Sequence, residues 1–123
     1  MAQLLRREDT DCFKYCGTDG SIRGFVSLEP HERFVYLGLL TVAPEEQSGG
    51  IGRRLLDFSI DYALSQHIHT IIITVVNIRQ ELIAWYERRG YRITGKTYPF
   101  PAQAGKPKVP IHLIEMRKEL ISV

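Results

Sequence analysis

A short segment near the middle of the sequence contains three glycines and ends at the first of two consecutive arginines. The segment is Gln47-Ser48-Gly49-Gly50-Ile51-Gly52-Arg53, with Arg54 directly after it, between a predicted strand and a predicted helix. The first turn of a helix leaves backbone N–H groups unpaired, and the helix dipole adds partial positive charge there. Because glycine has no Cβ, a phosphate can approach the backbone closely. The segment therefore predicts an anion-binding loop, and a pyrophosphate fits it best.

A tight strand-to-helix turn without a ligand is the alternative interpretation of the same glycines. Two other phosphate-binding motifs are absent from the sequence. No GxxxxGK[ST] pattern places a lysine and a hydroxyl for a nucleoside triphosphate, and Leu55 stands where GxGxxG requires its third glycine. The choice lies between a pyrophosphate site and a simple turn.

The histidines and cysteines do not indicate a metal site. His67 and His69 alternate as two neighbours on a strand would, but no third ligand is evident. Cys12 and Cys16 have no further cysteine to pair with, and we interpret them as reduced thiols of an intracellular protein. We expect no metal.

The elements before the glycine segment follow from hydrophobic patterning. Apolar-rich stretches at 12–17 and 22–28 flank Asp19-Gly20, and an Asp-Gly pair in this setting is typical of a hairpin. A polar turn at 29–33 and a long apolar run at 34–42 follow. Together these segments predict a three-stranded antiparallel meander.

A helix and a buried strand follow the glycine segment. From about Gly50 to Gln66, apolar residues recur with the period of an amphipathic helix. The run TIIITVV at 70–76 predicts a strand buried on both faces, with a parallel neighbour. Strand, loop, helix and strand in this order form a right-handed βαβ unit.

The last third predicts a second helix and two strands. The helix covers about 80–89 and ends at Gly90, a residue suited to a left-handed C-cap. Strands at 91–97 and 112–120 flank a proline-rich loop. The predicted fold class is α/β, with a mixed, mostly antiparallel central sheet, one parallel step and flanking helices.

Length and composition are those of an ordinary globular domain. The 123 residues suit one domain over 1–123, with 44% apolar and 24% charged residues. A net charge of +2 is too weak to indicate nucleic acid. The N-terminus does not resemble a signal peptide, and no run approaches the about 20 apolar residues of a membrane-spanning helix. We expect a cytoplasmic protein without nucleic-acid or membrane partners.

The glycine segment resembles the acetyl-CoA-binding signature of the GNAT acetyltransferases, whose usual form is [RQ]-x-x-G-x-[GA]. The matching residues are Gln47, Gly50 and Gly52, preceded by YLGLLTVAPEE and followed by RRLLDFSIDYAL. A second segment, LIAWYERRGYRITG at 82–95, is similar to the segment that follows in that family. The resemblance covers about residues 22–120. It implies the GNAT fold in a short form that lacks the usual N-terminal strand and helices.

The resemblance implies that acetyl-CoA binds as the co-substrate. Backbone groups of Leu40, Thr41 and Val42 would bind the pantetheine amides, and the Val42 N–H would polarise the thioester carbonyl. The pyrophosphate would bind the backbone of Gln47, Ser48, Gly49, Gly50, Ile51, Gly52 and Arg53. An amine would attack the thioester directly, without a metal or a covalent enzyme intermediate.

Tyr86 matches the family tyrosine that protonates or hydrogen-bonds the departing thiolate, so we predict it as the catalytic acid. Without the resemblance, Tyr86 would be interpreted as a core residue beside Trp85. Many family members have a cofactor-contacting asparagine seven residues before this tyrosine. Arg79 stands there in this chain and Asn77 lies two residues earlier, so both are candidates for the cofactor contact.

The resemblance does not assign a general base. Family members often use a glutamate on the strand before the loop, but Tyr36 corresponds to it here, and a tyrosine is not a base near neutral pH. A water chain to bulk solvent is one alternative. The side-chain candidates are Glu29, His31, Glu32, His112 and Glu115.

Few residues precede the first hairpin, whereas family members usually carry two helices there that form much of the acceptor pocket. We therefore expect an open acceptor site, suited to a macromolecular amine or to an inactive protein. A homodimer in which a second copy covers the exposed sheet face is the other expectation, because large apolar patches are rare in monomers. The sequence does not identify the acceptor amine.

Three classes of function follow. The first is an N-acetyltransferase that moves the acetyl group from acetyl-CoA to a primary amine. The second is a non-catalytic acyl-CoA-binding sensor or a shortened inactive paralogue. The third is a structural domain whose glycine loop binds nothing.

Overall fold

The computed structural model describes residues 2–6, 10–42, 50–99 and 111–120, with the backbone alone for 2–6. In chain order, the elements of these ranges are β1 (Ala2–Arg6), β2 (Asp11–Cys16), β3 (Ile22–Pro30), β4 (Val35–Val42), α1 (Ile51–Ser65), β5 (Thr70–Val76), α2 (Gln80–Arg88), β6 (Arg92–Pro99) and β7 (His112–Glu119). The chain divides into two compact units, Met1–Ile71 with Leu120–Val123, and Ile72–Glu119. The single domain over 1–123 stays a prediction.

The first unit contains antiparallel strands in the order β1-β2-β3-β4. The predicted meander is confirmed as β2, β3 and β4. The sequence pattern predicts no strand ahead of this meander, and β1 corrects that prediction. Its backbone pairs with β2 from Ala2↔Tyr15 to Arg6↔Asp11. The pairing depends on backbone groups, so a short charged segment shows no side-chain pattern that would reveal it.

Helix α1 packs its apolar face against β3 and β4. Burying each large aliphatic side chain stabilises the unit by about 1.5–3 kcal/mol. The predicted amphipathic helix is confirmed, but Leu64 is 37% exposed and Tyr62 is buried instead. The Tyr62 hydroxyl donates to Asp11 Oδ2 at 2.5 Å, which ties the helix to β2. The buried residues of the helix are Ile51, Leu55, Leu56, Ser59, Tyr62 and Ala63.

The second unit contains most of β5, all of α2, and the hairpin of β6 and β7. The strand order is β5-β7-β6, with β6 and β7 antiparallel. Asn77 N donates to His112 O at 2.9 Å, which joins the end of β5 to the start of β7. Gly90 follows α2 with a φ of 94°, as its predicted role in the C-cap requires. Pro99 belongs to β6 rather than to the predicted loop, and residues 100–110 lie outside the described residues.

Strand β5 differs from the predicted strand buried on both faces. Ile71, Ile73 and Val75 are at most 4% exposed. Ile72, Thr74 and Val76, which alternate with them, are only half-buried. A continuous apolar run shows that both faces tolerate burial, but it does not show that an element covers each of them.

Candidate functional site

The N-terminus of α1 leaves its first backbone amides without partners inside the helix. The first hydrogen bond of the helix joins Arg54 N to Gly50 O at 3.0 Å. The amides of residues 51–53 precede that bond, and no side chain of the described residues caps the helix start. Gly50 has a φ of 83°, a conformation that glycine adopts without strain, and a Cβ there would have open space around it. Among the described residues, the start of α1 is therefore an uncapped helix N-terminus, and its binding of an anion stays a prediction.

The charge beside this helix start is positive. The first turn of α1 contains no acidic residue. The Arg54 Nη1 donates to the Tyr15 hydroxyl at 2.7 Å, a neutral partner that leaves the charge of the guanidinium unbalanced. Arg53 is exposed. Within the described part of the chain, these arginines therefore add to the helix dipole, and together they favour an anion.

Gly24 brings the end of β4 close to the first turn of α1. It pairs with Val42 across β3 and β4. A Cβ on Gly24 would lie 2.9 Å from both Ile51 Cγ2 and Leu55 Cδ1. The missing side chain therefore allows the helix to approach the strand that pairs with Val42.

The predicted cofactor-binding residues of the first unit fall into three groups. Leu40, Thr41 and Val42 form the last three residues of β4, with Thr41 exposed and the other two half-buried. Gly50, Ile51, Gly52 and Arg53 form the start of α1. Gln47, Ser48 and Gly49 lie outside the described residues.

Tyr86 lies in α2 of the second unit and is 5% exposed. Its ring meets the rings of Trp85 and Tyr91 edge to face, with centroids 5.1 and 5.4 Å away. Burial raises the pKa of Tyr86 to about 12, because the phenolate would lose its hydration. The hydroxyl is therefore a proton donor over the whole physiological pH range. The burial agrees with Tyr86 as a core residue, and the retained proton agrees with Tyr86 as the catalytic acid.

Asn77 and Arg79 have internal partners. Asn77 Oδ1 accepts a hydrogen bond from His112 N at 3.1 Å, so half of its carboxamide holds the start of β7. Arg79 Nε donates to Glu81 Oε1 at 2.7 Å, on an exposed surface at the start of α2. Their cofactor contacts stay predictions.

The candidates for the general base differ in their surroundings. Tyr36 is half-buried on β4. His31 Nε2 lies 2.8 Å from Glu29 Oε1, and Glu32 is exposed in the same turn. Glu115 is 6% exposed and accepts hydrogen bonds from two hydroxyls, a placement that its sequence context gives no means to foresee.

The described residues contain no group of three or more histidine, cysteine, aspartate or glutamate side chains placed to hold a metal ion. His67 and His69 are both exposed. The search of the same residues for a helix long and apolar enough to cross a membrane found none.

The strands and helices of the described residues define an α/β protein, and the phosphate site at the start of α1 stays a prediction. A family model described as the acetyltransferase (GNAT) family matches residues 1–91. The chain belongs to this family. The match confirms the resemblance and acetyl-CoA as the co-substrate, and it identifies the chain as an acetyltransferase in general terms. No curated protein sequence matches the chain.

Solved structures share the fold. Nourseothricin acetyltransferase has a TM-score of 0.79 and 23% identity, over 93% of this chain and 67% of that one. A GNAT family acetyltransferase from Elizabethkingia anophelis, with acetyl-CoA bound, has a TM-score of 0.79 and 21% identity, over 91% and 77%. The ribosomal-protein-S18-alanine N-acetyltransferase from Escherichia coli has 0.77 and 21%, over 96% and 74%. The predicted fold class, including a mixed sheet with one parallel step, is confirmed.

Proposed function

We propose that this protein transfers the acetyl group of acetyl-CoA to a primary amine by direct attack. The N-terminus of α1 carries this proposal, because its first amides have no partner among the described residues and, with the positive charge of Arg53, suit a pyrophosphate. Membership in the GNAT family supports acetyl transfer. A solved structure with the same fold is named as an alanine N-acetyltransferase, which supports an amine acceptor.

In this mechanism, the nitrogen of a neutral amine attacks the thioester carbonyl. The C–N bond forms, the C–S bond breaks, and CoA leaves as a thiolate while the nitrogen loses a proton. The Val42 N–H would donate to the carbonyl oxygen as it gains negative charge. The reaction requires no metal, so we expect dialysis against a chelator to leave turnover unchanged.

Tyr86 would assist the departing sulfur mainly as a hydrogen-bond donor. A thiol has a pKa of about 8.5, well below the pKa of about 12 that burial gives Tyr86. Complete transfer of the phenolic proton to the thiolate would therefore be uphill by about 5 kcal/mol. A donated hydrogen bond stabilises the thiolate without that cost, and water can then supply the proton.

Calorimetry with acetyl-CoA tests the binding half of the proposal. Gly50→Ala adds strain at a positive φ and should weaken binding about fivefold. Gly50→Glu adds a carboxylate as well and should weaken binding at least about 100-fold, since like charges about 4 Å apart near a surface repel by about 4 kcal/mol. Equal affinities of the two folded variants would show that no phosphate binds at this turn.

A non-catalytic acyl-CoA-binding protein is the second candidate, and Tyr36 in place of the family glutamate favours it. Thiol release from acetyl-CoA with a panel of amines separates the two functions. Amine-dependent release that is absent without the amine supports the transferase. Tight binding of acetyl-CoA without release by any amine supports the sensor. A cytoplasmic location remains part of the proposal.

A further inference from the structure

A buried carboxylate lies in the β6–β7 hairpin of the second unit. Glu115 on β7 is 6% exposed. Its Oε2 accepts a hydrogen bond from Thr94 Oγ1 at 2.9 Å, and its Oε1 accepts one from the Tyr98 hydroxyl at 2.7 Å. Both donors belong to β6, so this strand donates one hydrogen bond to each oxygen of the carboxylate on β7.

A wide bulge in β6 directs these hydroxyls toward Glu115. The register passes from Ile93↔Met116 directly to Thr97↔Ile114, so residues 94–96 all lie opposite Glu115. Gly95 permits the bulge with a φ of 96°. Lys96 N donates to Thr94 Oγ1 at 3.2 Å, so the hydroxyl proton of Thr94 is directed at Glu115. Bulges that redirect side chains in this way are frequent beside active sites.

The basic residues next to Glu115 on β7 have other partners. Arg117 pairs with Glu119. Lys118 Nζ donates to Arg89 O at 2.7 Å and lies 5.8 Å from the centre of the Tyr91 ring. Within the described part of the chain, Glu115 therefore has two neutral donors and no cation. Each carboxylate oxygen can accept a further hydrogen bond, and a buried negative charge without a cation is costly.

We propose that Glu115 binds the ammonium form of the acceptor amine and takes its proton, with Thr94 and Tyr98 as positioning residues. This inference rests on the proposed function, because it assigns the residue that binds the acceptor amine of the same reaction. The ammonium would donate to the free positions of the carboxylate, one N–H bond would break, and the proton would pass to Glu115. The neutral amine then has the lone pair needed for attack, and Glu115 returns the proton to water.

Glu115 lies in a part of the chain to which the family match assigns no role. The family model matches residues 1–91, so β6 and β7 lie outside the matched part. Glu115 lies three residues along β7 from His112, which Asn77 joins to the end of β5. Three residues of a strand span about 10 Å, so Glu115 lies well inside the hairpin rather than at the end of β7.

The test uses the amine that wild-type protein acetylates fastest from a panel of spermidine, tyramine and a lysine-containing tripeptide at pH 7.5. Glu115→Gln retains the shape and loses the charge. We expect kcat/KM for the amine to fall at least about 100-fold, as removal of a proton acceptor does, while the Kd of acetyl-CoA changes less than twofold. Thr94→Val and Tyr98→Phe each remove one positioning hydroxyl and should raise the KM for the amine several-fold.

Hydroxylamine distinguishes this role from a structural one, because it is already uncharged at pH 7.5. Glu115→Gln should lose less than tenfold in kcat/KM with hydroxylamine. Glu119→Gln, which removes an exposed carboxylate from the same strand, should match wild type with both nucleophiles. Equal losses for the amine and hydroxylamine would show that Glu115 only supports the hairpin and would overturn the inference.

The outcomes separate the two proposals. Wild-type protein that acetylates no amine contradicts the proposed function and this inference with it. Wild-type protein that acetylates amines, with Glu115→Gln equally active, contradicts only the inference. If Glu115→Gln does not fold, Thr94→Val and Tyr98→Phe test the inference instead, because both substitutions alter exposed residues. Unchanged KM values for the amine in both variants would overturn the inference.

Discussion

Tyr86 and Tyr91 are neighbouring buried phenols with different surroundings at their hydroxyls. Among the described residues, the Tyr91 hydroxyl is buried without a hydrogen-bond partner. Tyr91 is 2% exposed and Tyr86 is 5% exposed, and their rings are in contact. The two residues therefore form a matched pair, in which the same substitution should affect turnover at one position and stability at the other.

Tyr86→Phe should lower kcat about 10- to 100-fold and leave the Kd of acetyl-CoA unchanged. A hydrogen bond to a charged group contributes about 1.5–3 kcal/mol, and this one would form only as the thiolate leaves. Steady-state thiol release and calorimetry measure the two quantities. Tyr91→Phe is the control, and it should retain turnover and raise the melting temperature because it removes an unpaired buried hydroxyl. Loss of kcat in both variants alike would point to a packing effect.

The raised pKa of Tyr86 predicts a loss of stability in alkali. The folded state keeps the phenolic proton up to about pH 12, whereas the unfolded chain loses it from about pH 10. The stability is complete below pH 10 and decreases by about 1.4 kcal/mol per pH unit as the pH rises toward 12. Urea denaturation between pH 9 and 11.5 should show a shallower slope for Tyr86→Phe than for wild type. Parallel slopes would mean that the phenol titrates alike in both states.

Local and non-local residues of the candidate site differ in how far the sequence reveals them. The helix start at Gly50 could be predicted because a glycine before an amphipathic run indicates where a helix begins. The sequence offers Glu115 only as one of several equal candidates for the base. Glu115 differs from the other candidates because it accepts hydrogen bonds from the hydroxyls of Thr94 and Tyr98. The bulge that places Thr94 opposite Glu115 depends on the pairing of β6 with β7. Spacing along the chain does not encode that contact.

The first turn of α1 packs against β3 at Gly24, where the strand has no side chain. Gly24→Ala would place a Cβ 2.9 Å from Ile51 and Leu55, so the first turn of the helix must move. We expect a loss of about 1–3 kcal/mol of unfolding free energy, as for other overpacked sites. We also expect acetyl-CoA to bind at least about tenfold more weakly, because the amides of the first turn and Val42 would no longer align. Urea denaturation and calorimetry measure the two effects.

Val26→Ala is the control for Gly24→Ala. Val26 is fully buried on the same strand, and alternation places it on the same face as Gly24. Its truncation leaves a cavity instead of a clash, so stability should fall while the first turn of α1 stays in place. If both variants weaken acetyl-CoA binding equally at matched stability, Gly24 does not position the site.

Burial of the strands was harder to predict than their existence. The run at 70–76 correctly indicates β5, because branched apolar residues favour an extended backbone. Its two faces differ, since Ile73 is 1% exposed and Ile72 is half-buried. What covers a face depends on elements elsewhere in the chain. The same reason explains why β1, whose partner is β2, was missed.

Among the described residues, α1 is the one helix of the first unit, so one face of that unit's sheet carries no helix of its own. Gly24 faces α1, so alternation places Ser27 on the other face of β3. Ser27 pairs with Cys12 on one side and Leu39 on the other, and residues directly opposite share a face. Leu39 is 49% exposed whereas Cys12 is 8% exposed, so the open part of this face lies toward β4. We propose that a second copy of the chain covers it.

Light scattering at tens of micromolar should therefore show a dimer for wild type. Leu39→Lys should convert it to a monomer, because a lysine on each copy would place a charge in the apolar contact. Leu64→Lys is the matched control: Leu64 is 37% exposed and belongs to α1, which packs on the other face of the sheet. A dimer that persists in Leu39→Lys would place the contact elsewhere. A monomer at all concentrations in wild type would mean that the uncovered face is open to the acceptor, and the same Leu39→Lys variant should then change the KM for the amine.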